Sequence, residues 1–348
     1  MKQKNFFTLL LAAFLFSLSA PISKKLLDQN SPVLIAALFY FGAALGLLPL
    51  FWKNLISELK GINKEKNDCW RLPLSILTGG LLAPLCFLFG IKYANASAAS
   101  LFLNFQMIFT AVFAFFLFKE HLSKRFLLSS LIVLVAGLIL FIPQTMEMQK
   151  GLILVLLACL LWSFDNNLVA TIRSISPETN TIMKGLFGGG INLILYQGTK
   201  EIGEELSLSV FVVALIVGAI SYGYSIVLYI RGARIMGAAR SQMIFGMHPF
   251  LAVILSWVFL NESLNIFFII SFILMMGGAF LLYTESHEHE HTHPEEEHIH
   301  EHHHHDGHHF HAHENLKKNE RHTHKHSHSE LKHSHPHYPD IHHRHEHK

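Results

Sequence analysis

Apolar stretches of about twenty residues recur along the chain, separated by short polar runs, and twenty residues is the length a helix needs to cross roughly 30 Å of hydrocarbon. The pattern predicts ten membrane-spanning helices, at 6–27, 32–52, 72–92, 94–118 and 126–143, then at 150–170, 180–198, 207–230, 237–260 and 265–283. A β-barrel would instead show segments of about ten residues in strict alternation, and no such pattern is present. The opening MKQKNFFTLLLAAFLFSLSA has the basic start, apolar centre and small-residue end of a signal peptide. Pro21 sits badly just after the cut that would follow, so the segment is expected to stay as the first span.

The pattern stops at Tyr283. Residues 284–348 hold 25 of the 27 histidines and 20 of the 52 charged side chains. The chain therefore divides into a first five-helix unit (1–143), a second (144–283) and a histidine-rich tail (284–348). With almost nothing apolar to bury, the tail is expected to be disordered without metal.

The two five-helix units are related. Laid over one another at an offset of 142, KYANASAASLFLNFQMIFTAVFAFFLFKEHL from Lys92 meets RIMGAARSQMIFGMHPFLAVILSWVFLNESL from Arg234. Ala96 then faces Ala238, Glu120 faces Glu262 and Leu122 faces Leu264. An odd number of helices per unit forces the copies into opposite orientations. The fold class predicted is an all-α integral membrane protein of about ten transmembrane helices, arranged as two inverted five-helix repeats.

Charge sets the expected orientation. The loops on the side of the N-terminus carry fifteen basic residues: Lys2, Lys4, Lys53, Lys60, Lys64, Lys66, Arg71, Lys119, Lys124, Arg125, Arg173, Lys184, Arg231, Arg234 and Arg240. The opposite side carries five, Lys24, Lys25, Lys92, Lys150 and Lys200. By the positive-inside rule both termini are expected in the cytoplasm, with the body in the inner membrane.

These residues resemble the drug/metabolite transporter superfamily, and within it the EamA-like permeases. The likeness covers roughly 6–283. It rests on a small-residue start to the fourth helix of each repeat (ANASAAS, MGAARS), an apolar run, a Glu-x-Leu-like close (KEHLS, NESLN) and the opening ACLLWSFDNNLVA of the second repeat. The resemblance implies a secondary transporter working by alternating access, with no substrate carried over from so broad a group. Two positions depart from the pattern, Gln106–Met107 in the first repeat and His248–Pro249 in the second.

Polar side chains deep in a spanning helix are expensive and usually face the bundle interior or a wet cavity. Six are taken as substrate-pathway candidates: Asn104, Gln106, Asp165, Asn166, Lys184 and His248. His248 lies near the middle of its helix, and Gln106 is its counterpart at the 142 offset. A buried histidine satisfying backbone groups beside Pro249 is the plainer alternative for His248. Asn104 and Gln106 fall on opposite sides of one helix, so one of them must pack. Asp165, Asn166 and Asn167 form the most polar patch inside any span, and Lys184 enters the next helix at a similar depth. An Asp165–Lys184 pair would neutralise both charges, and ion coupling through Asp165 is the competing role. Glu120 and Glu262 read as structural helix ends, and Gly188, Gly189 and Gly190 as points of close helix approach.

In the tail, imidazoles at alternate positions or in runs are good ligands for Zn, Ni, Co or Cu. The metal candidates are His287, His289, His291, His293, His302, His303, His304, His305, His322, His324, His326, His328, His342, His343 and His345. Cys69, Cys86 and Cys159 have no metal or redox spacing. No nucleophile with its base and no phosphate loop is present, so no enzyme activity, no required cofactor and no nucleic acid are expected. The partners expected are the lipid bilayer, a small-molecule or ion substrate, transition metal ions and, as a possible assembly, a homodimer. Three functions stay open: divalent metal (Ni/Co/Zn) efflux, permeation of a metabolite with a metal-sensing tail, and a membrane-anchored metal store or sensor that transports nothing.

Overall fold

A computed structural model describes the backbone of residues 2–61, 66–118, 124–199, 206–283 and four tail segments, and the side chains of 5–60, 67–118, 124–198 and 206–281. The regular elements described within 2–283 are all helices: α1 (Asn5–Leu27), α2 (Pro32–Lys60), α3 (Asn67–Tyr93), α4 (Ala96–Phe118), α5 (Lys124–Phe141), α6 (Met146–Thr171), α7 (Pro177–Thr199), α8 (Leu208–Met236), α9 (Ala238–Leu260) and α10 (Ile266–Tyr283). Eight of these are long and apolar enough to cross a membrane by length and composition alone. The other two are α10, which is short but apolar, and α7, whose first half reads PETNTIMK and owes its place to packing. Each expected span falls on a helix among the described residues. α2 runs past its expected end at 52 because LISELK continues the helix beyond the apolar core.

The duplication is visible in the element bounds. α4 and α9 begin 142 residues apart and end 142 residues apart, and so do α5 and α10. Packing follows the same relation. α2 lies on α7, α4 on α9 and α5 on α10, while α1 packs against α8 and α9 as α6 packs against α3 and α4. Exchanging each helix for the one five positions along reproduces the contact pattern, as a twofold axis in the membrane plane requires.

Local chemistry explains the breaks. α4 divides at Leu103–Asn104, where the Asn104 amide donates to Leu101 O at 2.8 Å. α9 divides at Gly246–Met247, just before Pro249, which has no N–H to give. α3 and α8 each contain one π-helical stretch, Ile76–Leu82 and Gly218–Tyr224, again 142 residues apart. The turn between α8 and α9 is made at Gly237, at φ 85°, where a residue with a Cβ would be strained. Large side chains such as Phe116, Leu127, Ile194, Trp257 and Phe280 point outward. On a soluble protein such a surface would be a liability; here it meets lipid.

In the tail the backbone is described for His287–His293, Glu296–His302, His322–His328 and Leu331–His337, paired antiparallel as first with fourth and second with third. All the tail metal candidates lie outside the residues whose side chains are described.

Candidate functional site

Between the repeats lies a narrow, partly open cavity with a polar and aromatic wall. Its wall comes from eight helices: Phe16 (α1), Tyr40 (α2), Gly79 (α3), Gln106 (α4), Trp162, Asp165, Asn166 and Val169 (α6), Thr181 and Lys184 (α7), Tyr222, Ile226, Tyr229 and Ile230 (α8), and Phe245 (α9). Phe16, Gly79, Gln106 and Tyr222 come from the middle of their spans. Tyr40 lies in the first half of α2, and the others lie toward the end of the molecule where α6 stops and α7 begins, with Asp165 about 9 Å from that end on a rise of 1.5 Å per residue.

Asp165 and Lys184 are the charged core of this wall. Lys184 Nζ donates to Asp165 Oδ2 at 2.5 Å, both side chains being almost fully buried. Ser75 Oγ donates to the other carboxylate oxygen, also at 2.5 Å. The carboxylate is thus held by α3 and α7 at once. The ion pair offsets the cost of burying either charge, which alone would be several kcal/mol. A Cβ on Gly79 would overlap that carboxylate, so glycine there lets α3 and α6 meet.

The π-helical stretch of α3 adds a second device. Widening the turn by one residue frees carbonyls from the ordinary ladder. Gly79 O accepts from the Tyr40 hydroxyl and, at 3.3 Å, from Trp162 Nε1. Two cavity aromatics are therefore fixed by one backbone oxygen. Asn166 Nδ2 donates to Gln242 Oε1 at 3.0 Å, joining α6 to α9. The Tyr229 hydroxyl, on the cavity wall, is buried without a partner among the described residues.

Of the six sequence candidates, the structure brings four to the cavity: Gln106, Asp165, Asn166 and Lys184. Asn104 packs away from it, its amide 3.8 Å from Met275 Sδ on α10. His248 stands one layer behind the wall. Its ring lies edge-on to Phe16 at 5.0 Å and against Phe245 at 4.6 Å, and its Nδ1 is 2.8 Å from Phe245 O. Asn167 likewise ties α6 to α4, donating to Thr110 O at 3.1 Å.

The aromatic wall was missed in the sequence, although part of it carries a signal. Trp162, Asp165, Asn166 and Val169 follow the i, i+3, i+4, i+7 spacing of one helix face. Tyr222 and Tyr229 are seven residues apart, two turns along α8.

At that end, the α6–α7 connection is pinned by α2, α3 and α8. Asp68 accepts from the backbone N–H of Arg173 and Ser174 at 3.0 and 2.9 Å, and Glu58 from Ser176 N–H at 2.8 Å. Arg234 Nη1 donates to Ile175 O at 2.6 Å, and Arg231 pairs with Glu178. Among the described residues no group of three or more His, Cys, Asp or Glu could hold a metal ion.

A ten-helix body of two inverted repeats around a polar cavity is the architecture of a membrane transporter. The chain belongs to the EamA-like transporter family, whose model matches it twice, over residues 3–142 and 149–284. It is 28% identical over 298 residues to an uncharacterized transporter of Methanothermobacter thermautotrophicus, covering 80% of this chain and 86% of that one. It is 24% identical over 298 residues to an uncharacterized transporter of Clostridium kluyveri, covering 82% of this chain and 95% of the relative. A solved crystal structure shares the fold with a TM-score of 0.61 at 15% identity, covering 80% of this chain and 97% of its own.

Proposed function

We propose that this transporter is a secondary carrier of the inner membrane that binds a small polar organic solute in the cavity and moves it by alternating access, with both termini in the cytoplasm. The observation that carries the reading is the buried Asp165–Lys184 pair on the wall of a cavity between inverted repeats. Charges are expensive in hydrocarbon, and those retained there usually serve a pathway. Lys184 and Asp165 supply the electrostatic handle, Gln106 and Asn166 hydrogen bonds, and Trp162 and the tyrosines an apolar face.

The same wall favours an organic solute over a divalent metal as the cargo. Among the described residues the cavity's one carboxylate is already bonded to an ammonium and a hydroxyl, and no imidazole or thiolate lines the space. A transition metal would need such donors bare. The tail then has a separate task, to bind Zn, Ni, Co or Cu and so sense or buffer the metal.

The reading is tested by the thermal stability of the purified protein across a panel of metabolites and metal salts. An organic solute is expected to raise the unfolding temperature of the intact chain but not of Gln106→Leu. Stabilisation by metal salts alone, indifferent to Gln106, would contradict it.

A further inference from the structure

On the far side of the midplane from the cavity, the second half of α1 (Ser19–Leu27), the first half of α4 (Ala96–Phe102) and the second half of α9 (His248–Leu260) pack on one another. This contact is tight, yet it is polar in an unusual way. Ser23, Ser97, Ser100 and Ser256 are all within 1% of full burial, and each hydroxyl lacks a hydrogen-bond partner among the described residues. Buried polar groups without partners are rare in native structures, and each needs an explanation. Four of them on three mutually packed helix halves share one.

The repeat supplies it. Position 23 is the 142-offset mate of Asp165, and position 100 is the mate of Gln242, which bonds Asn166 at the cavity. Ser23 and Ser100 thus fall in the twofold copy of the cavity region, closed in this state, with Ser97 and Ser256 on the helix halves beside them.

A latch sits over the same helices. Glu262, in the connection after α9, accepts from the backbone N–H of Ala96 and of Ser97, both at 2.8 Å. A carboxylate on the first-turn N–H groups of a helix is a strong, charge-assisted contact, and this one ties the second repeat to the start of α4.

Resting on the alternating-access reading above, we propose that Ser23, Ser97, Ser100 and Ser256 line the second half of the transport pathway, held shut here by the grip of Glu262 on the first turn of α4. When α4 and α9 part, water and solute reach the four hydroxyls and satisfy them. Their lack of partners marks the closed half of a two-state element.

The test uses full-length chains with Cys69, Cys86 and Cys159 replaced and one new cysteine, in membrane vesicles, with a membrane-impermeant maleimide as probe. Ser100→Cys is compared with Ser271→Cys, a serine near the same end of the helices and equally buried but with its hydroxyl bonded to Ala136 O at 2.8 Å. Ser100→Cys is expected to label on the order of tenfold faster than Ser271→Cys, and Glu262→Gln to raise that rate by about another tenfold through a shift of population. Ser97→Cys, one turn nearer the start of α4, is the second reporter if Ser100→Cys fails to insert. Either reporter remaining as slow as Ser271→Cys, with Glu262 intact and with Glu262→Gln, overturns the proposal. Thermal stability with the metabolite panel is measured on the same chains. Slow reporters with solute stabilisation retained overturn the second pathway alone; fast reporters without any stabilisation support the pathway and count against the solute-binding reading.

Discussion

Lys184 on α7 reaches Asp165 on α6 across the cavity wall at 2.5 Å, and Ser75 on α3 holds the other carboxylate oxygen. The pair has both a structural and a transport consequence. Asp165→Asn alone is expected to lower the yield of folded protein, because removing one partner of a buried ion pair costs about 3–5 kcal/mol. Asp165→Asn combined with Lys184→Met is expected to restore much of the yield, since no unpaired charge is left. Size-exclusion profiles of the three proteins in detergent check this. A single variant as abundant as the parent would show that the pair contributes little to folding.

The close approach of α3 to α6 and α7 makes a second prediction. A Cβ on Gly188 would strike the Gly80 carbonyl, whereas one on Gly190 meets nothing within 4 Å. Gly188→Ala is therefore expected to reduce the unfolding temperature by several degrees, and Gly190→Ala to change it little. Equal effects at the two positions would contradict the packing described.

His248 and Gln106 are repeat mates with different surroundings. His248 packs between Phe16 and Phe245, while Gln106 faces the cavity. His248→Phe keeps a ring in that layer and is expected to leave solute-induced stabilisation within a few-fold of the parent. Gln106→Leu is expected to abolish it with the fold intact. The reverse result would make the histidine the binding group.

Much of the fold was legible because membrane solvation acts on every residue: apolar runs, breaks at polar loops and the 142-residue offset are properties of the sequence alone. Depth was legible too, and Asp165 and Lys184 could be matched by counting residues from the helix ends. Azimuth was less so. The helical wheel showed that Asn104 and Gln106 oppose one another, but which of them faces inward depends on α10 packing beside Asn104. His248 was placed at the right depth, and the aromatic layer in front of it follows from helix contacts that no local pattern encodes. The π-helical stretches were also hidden, since one extra residue in a turn leaves no compositional mark apart from Gly79 and Gly80, which read equally well as packing glycines.

The loop charges predict topology. A reporter fused after Tyr283 is expected to be active only in its cytoplasmic form, on the side where α6 ends and the Asp68–Arg173 contact lies. Activity of a periplasmic reporter at that point would place the tail and the α6–α7 connection outside.

The central claim is that the cavity, and not the tail, moves the cargo. It is tested most directly by transport into inverted vesicles of a panel of metabolites and metal ions, comparing the intact chain, a truncation after Tyr283, and the Asp165→Asn, Lys184→Met double variant. The account predicts that at least one organic solute is transported, that the truncation keeps its maximal rate within a few-fold, and that the double variant, though folded, loses it. Metal transport that vanishes with the tail and ignores the double substitution would contradict it.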